Sequence, residues 1–206
     1  MLKSNVGQLL LLCTTALAIL GSSTEIAQQK VLVGVDIMDE QEKVRGHNEA
    51  VYDAVPKEDQ LFRVEFLEIA PTPIIADRVF FVYLRGDIPE SRKKELGLPD
   101  NGLVDATITV SSSVVYPDGS YDDEQSVTLP LKTTPYNDIA HLLIRDADGN
   151  QADYLPSRRQ SDIIFDFQIP TMFLKGGMWT FKADARAGDK NNSCLFAMSL
   201  TQWLQP

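Results

Sequence analysis

Few residues in this sequence are placed to do covalent chemistry. The chain of 206 residues contains two histidines, His47 and His141, and two cysteines, Cys13 and Cys194. A catalytic triad or a histidine metal site needs one of these histidines with partners. His141 sits in the apolar run His141-Leu142-Leu143-Ile144, which suits a histidine held by a neighbour for structural reasons, and His47 sits in a polar stretch and is expected in solvent. A Gly-x-Ser-x-Gly elbow, a His-Glu-x-x-His pair and a phosphate loop are all missing. Cys194 as a nucleophile would need a base and electropositive surroundings. The residues around it supply neither, so it is expected to be a small buried hydrophobe.

The carboxylates do no better. Asp146-Ala147-Asp148-Gly149-Asn150 places oxygens at alternate positions, as calcium loops do. The sixth position is Gln151 instead of glycine and the twelfth is Ser157 instead of glutamate, so the template fails, and Asp-Gly makes an ordinary hairpin turn. Glycosidase chemistry needs two carboxyls facing each other across a cleft, whereas Asp122-Asp123-Glu124 follow one another after a turn. The expectation is a protein that is not an enzyme and that takes neither cofactor nor metal.

The apolar residues are more informative, and they fall on strands. Phe62, Val64 and Phe66 alternate with Arg63 and Glu65, a period of two, until Pro71-Thr72-Pro73 ends the run. Residues 79–84 are apolar throughout. Val104, Ala106, Ile108 and Val110 alternate with polar residues, as do Ile163, Phe165, Phe167 and Ile169, and Trp179, Phe181, Ala183 and Ala185. Shorter strands are expected over 126–129 and 141–144, and a last one over 195–204. Tyr116-Pro117-Asp118-Gly119 is a turn signal. The best helix candidate is 90–96, a charged segment ending at Gly97, and 132–160 reads as a second insertion around one hairpin. Seven or eight short strands separated by turns predict an all-β protein, a β-sandwich. The inward aromatics either fill a tight core or, if the sheets splay, line a cavity; periodicity does not separate the two.

The ends and the charge add context. Lys3, an apolar run over 9–20 and the small residues Gly21-Ser22-Ser23 follow the order of a signal peptide, and the run is shorter than the about 20 residues that span a bilayer. Residues 1–23 are therefore expected to be removed, giving a soluble protein that is secreted or lodged in a vacuolar or lysosomal lumen. Residues 24–58, with a possible strand over 31–35, read either as a propeptide or as an extension strapped across the domain at 59–206. With Cys13 removed, Cys194 stands alone. The net charge of −10 argues against nucleic acid as a partner and against electrostatic adsorption to anionic membranes. Asn191-Asn192-Ser193 is a glycosylation acceptor pattern at Asn191.

The order of these motifs resembles the ML-domain family of lipid-recognition proteins, which includes secreted fungal phosphatidylglycerol/phosphatidylinositol transfer proteins and the cholesterol carrier of Niemann–Pick type C disease. The resemblance runs over about residues 59–204. It is carried by 62–73, with its proline-rich exit; by 79–86, ending in glycine; by 101–110; and above all by the closing segment. There Phe167-Gln168-Ile169-Pro170, Gly176-Gly177-Met178-Trp179-Thr180-Phe181, Asp189 and Cys194-Leu195-Phe196-Ala197 follow the family's pattern. The resemblance implies an immunoglobulin-like sandwich of two antiparallel sheets holding one lipid or sterol between them, without enzymatic activity. Family members usually bond the cysteine of the last strand to one near the domain's start. Here that partner is missing, and Leu129-Pro130 stands where the family has Cys-Pro.

The expectation that follows is a monomeric lipid- or sterol-binding and transfer protein in transient contact with membranes. Strand parity assigns most of its wall, Val64, Phe66, Phe80, Val82, Ile108, Val110, Phe165, Phe167, Trp179 and Phe181; Phe196 and Met198 complete it from a last strand whose two faces are both partly apolar. Met172 and Phe173 form an apolar mouth, with Lys175 near a head group. The rival expectation is an extracellular recognition or adhesion sandwich with a solid core, acting through its loops. A hydrolase without a recognisable motif is a third.

Overall fold

A computed structural model describes residues 42–137, 140–157 and 159–205. The expected signal peptide and the strand over 31–35 lie outside the described residues. In chain order the elements are β1 (Val51–Tyr52), β2 (Arg63–Ala70), β3 (Val79–Asp87), α1 (Glu90–Leu96), β4 (Thr107–Val115), β5 (Tyr121–Pro130), β6 (Thr134–Asn137), β7 (Ala140–Arg145), β8 (Gln151–Ala152), β9 (Gln160–Gln168), β10 (Gly177–Arg186) and β11 (Cys194–Leu204). The strands form two antiparallel sheets. One has the order β1-β11-β10-β4-β5; the other has the order β2-β3-β9-β7-β6, with β8 beside β7. The all-β sandwich expected from the alternation is the fold.

Local chemistry explains the connections. The 116–120 turn closes on a hydrogen bond from the Gly119 N–H to the Tyr116 carbonyl, 3.0 Å, with Gly119 at φ +83°, a conformation that costs glycine nothing. In the 146–150 turn the Asp146 carboxylate accepts the backbone N–H groups of Asp148 and Asn150 at 3.0 and 2.8 Å. Oδ1 of Asp146, one of the oxygens that suggested calcium, is spent on closing a hairpin. The charged segment 90–96 is α1, and Gly97 ends it at φ +63° as a left-handed C-cap.

Two expectations change. Residues 42–58 are not appended to a domain that begins at 59. β1 pairs with β11, and Val44, Ala50 and Tyr52 are buried in the core, so the strap is part of the sandwich. Phe66 does not face inward. A β-bulge between Val64 and Phe66 brings Phe66 opposite Arg85. One extra residue in a strand reverses the parity of all that follow. Leu67 and Ile69 take the buried positions, and Phe66 lies on the outer face with its ring edge-on to Tyr83, 6.3 Å away.

One half of the interior is closed. Phe62 and Phe196 meet across the sheets at 6.0 Å, and Leu84, Ile144, Ile163, Ala185 and Leu195 are buried around them. The chain entering β2 is tied to the start of β11 by main-chain bonds from Leu61 to Cys194 and from Phe62 to Leu195, 2.9 and 2.8 Å. Among the described residues no helix is long and apolar enough to cross a membrane.

Candidate functional site

The register places the inner faces without ambiguity, because residues directly opposite in an antiparallel pair share a face. On the first sheet Phe181 stands opposite Leu200 and Ser112, and Ala183 opposite Met198 and Val110. On the second, Val82 stands opposite Ile69 and Phe165, and Phe80 opposite Phe167. All of these side chains point between the sheets.

They are not equally buried. Val64, Phe80, Phe196 and Met198 are closed off from solvent. Val82, Ile108, Phe165, Phe167, Trp179 and Phe181 pack against the core but keep part of their surface accessible, and so does Val110. A strip of partly accessible apolar side chains follows β3, β9, β10 and β4 on the faces that meet between the sheets. It reaches Phe167 and Trp179, near the strand ends from which residues 170–176 cross from the second sheet to the first.

Aromatic pairs build the strip. Phe165 and Phe167 stack at 5.9 Å and 14°, and Trp179 and Phe181 stack at 6.1 Å and 12°. Each pair sits two residues apart on one strand, the spacing that puts neighbours on one face. Phe80 meets Phe167 edge-on at 5.9 Å. The Trp179 indole N–H donates to the Lys175 carbonyl at 3.1 Å, which satisfies the one polar atom of that ring. A separate hollow of about 370 Å³ enters from the β2 and β11 side and reaches inward-facing Ile69 and Leu200, with His47, Pro73 and Gln202 at its rim.

In the crossing segment, Met172 is exposed on a short 3-10 turn while Leu174 is buried. Phe173 belongs to the same turn, and its side chain lies outside the described set. The Lys175 ammonium stands over the Tyr116 ring at 5.3 Å, a cation–π contact that fixes the segment against the end of β4.

The residues that first suggested chemistry are dispersed. His141 is on the outer face of β7, with Nδ1 2.9 Å from Asp166, and His47 is in solvent, 3.2 Å from Glu68. Cys194 is buried, and burial pushes its thiol up to about 11, which removes the thiolate that nucleophilic attack requires. Asp122 accepts the Tyr116 hydroxyl, and Glu124 pairs with Lys182 at 2.8 Å. No three metal-ligating side chains converge among the described residues. Asn191 is exposed in the turn between β10 and β11, while the hydroxyl of Ser193 donates to Asp189 at 2.7 Å. Sequence reasoning missed the bulge at Glu65 and the hollow beside His47, neither of which has a local signal. No family model matches the chain, and no curated protein is significantly similar to it.

Proposed function

We propose that this protein is a non-enzymatic carrier that holds one lipid or sterol between its two sheets. The observation that carries the reading is the accessible aromatic strip. Phe165, Phe167, Trp179 and Phe181 face inward yet stay partly open, and an acyl chain or sterol ring is the kind of ligand that would complete their burial. Each methylene moved from water into such a strip gains about 0.8 kcal/mol, so a chain of ~16 carbons gains on the order of 12 kcal/mol before the bilayer's competing attraction is counted. The resemblance to the ML-domain family points the same way. Its missing disulfide is offset here by the Leu61 and Phe62 main-chain bonds to β11 and by the Phe62–Phe196 contact. Export through the N-terminal segment fits a carrier working between membranes.

The test is direct. The protein is purified without detergent, extracted with solvent and examined by mass spectrometry. A lipid at about one per chain is expected. If none is recovered, and added sterol, phospholipid and fatty acid all fail to bind, the sandwich works through its loops as a recognition module.

A further inference from the structure

One surface is apolar for no reason internal to the fold. Met178 of β10 stands directly opposite Trp203 of β11 and Val115 of β4, and Val115 stands opposite Tyr121 of β5. The four side chains form one row on the outer face of the first sheet, across four adjacent strands about 4.8 Å apart. They are exposed to 41% (Met178), 44% (Trp203), 53% (Val115) and 69% (Tyr121). The next rows on the same face are polar: Thr180 and Thr201 join hydroxyls at 2.9 Å, and Lys182 pairs with Glu124. The apolar character is thus confined to the end of the sheet.

That end is the one where residues 170–176 cross between the sheets. Met172, 82% exposed, stands on that segment, and Lys175 lies over Tyr116, next to Val115 in sequence. Ile75, Val79 and Phe81, at the same end of the second sheet, are also exposed. The row therefore lies at the end of the sandwich that Phe167 and Trp179 also approach.

We propose that the row Trp203, Met178, Val115 and Tyr121 is the surface by which this protein rests on a zwitterionic lipid bilayer, an inference that rests on the lipid-holding reading. Tryptophan and tyrosine close the row at its two ends, and these are the residues whose rings settle at the head-group level with the polar atom toward water. Lys175, held over Tyr116 beside the row, sets one positive charge at its margin. The net charge of −10 disfavours an anionic surface. A second copy of the chain fits less well. The row is four side chains, against about 20–30 residues a side in a stable interface.

The test uses the purified full chain and sedimentable vesicles of phosphatidylcholine. Wild-type protein is expected to pellet with them. The Met178→Ser/Trp203→Ser variant should partition at least tenfold less, and Val115→Trp should partition more while staying in the supernatant when vesicles are left out, a control that separates binding from aggregation. Bound lipid, measured by native mass spectrometry, should be unchanged in all three. Wild-type protein that stays in the supernatant, or a double variant that pellets like wild type, overturns the docking surface while bound lipid leaves the carrier reading standing. Absence of bound lipid, together with failure to take up added sterol, phospholipid or fatty acid, removes the carrier reading whatever the vesicles show. A dimer seen by sedimentation velocity that the double variant abolishes, with no vesicle binding, assigns the row to self-association instead.

Discussion

Gly86 is the floor under the Phe62 ring. A Cβ at position 86 would stand 2.5 Å from Cε1 of Phe62 and 2.4 Å from the carbonyl oxygen of Arg63. Phe62 is fully buried and braces Phe196 on the opposite sheet, so neither neighbour gives way cheaply. Gly86→Ala is expected to lower unfolding stability by about 1–3 kcal/mol, the usual cost of overpacking. Urea denaturation checks this, and a midpoint equal to wild type would mean that the β2–β3 pair shifts freely.

The closed and open halves of the interior should respond differently to truncation. Phe196→Ala empties a sealed site and is expected to cost about 3–5 kcal/mol. Phe181→Ala removes a ring that already keeps part of its surface accessible, and should cost about 1–2 kcal/mol on the area scale while reducing the lipid that co-purifies. Equal stability losses at the two positions would show that Phe181 belongs to a solid core.

Cys194 should be silent until the protein unfolds. With its thiol pushed up to about 11 by burial, the thiolate is scarce at neutral pH. Iodoacetamide at pH 7.5 is expected to leave Cys194 of the native chain unmodified and to alkylate it in urea, as read by peptide mass. Rapid alkylation of the native protein would refute the burial argument.

The Arg85–Asp162 pair sets an acid limit. Arg85 holds Asp162 by two bonds, Nε to Oδ1 at 2.7 Å and the second guanidinium nitrogen to Oδ2 at 3.0 Å. Hydrogen bonding from Arg85 outweighs desolvation and lowers the carboxyl below its ordinary value. A depressed folded-state value means that the contribution is complete above the unfolded value, near 3.9 for aspartate, and is lost as pH falls through the folded one. Asp162→Asn should therefore lower stability at pH 7 and flatten the loss of stability below about pH 4. A variant whose midpoint falls as steeply with acid as wild type would show that other carboxylates carry that dependence.

Much of the scaffold was legible because it rests on local rules. The period of two in β9 and β10 placed Phe165, Phe167, Trp179 and Phe181 on one face each, since successive side chains on a strand must alternate. Gly97 ended α1 where a left-handed residue was needed. Phe66 failed for a non-local reason: whether Glu65 bulges depends on how β2 registers against β3, and no residue in 62–70 encodes that by itself.

The sequence alone determined the alternation and the turns, because each depends on residue type and short spacing. Only the tertiary structure decided which inward residues stay open, because accessibility depends on what the opposite sheet places above them. It alone assembled Trp203, Met178, Val115 and Tyr121 into one row. Those residues come from four strands, and antiparallel register, not proximity in sequence, made them neighbours.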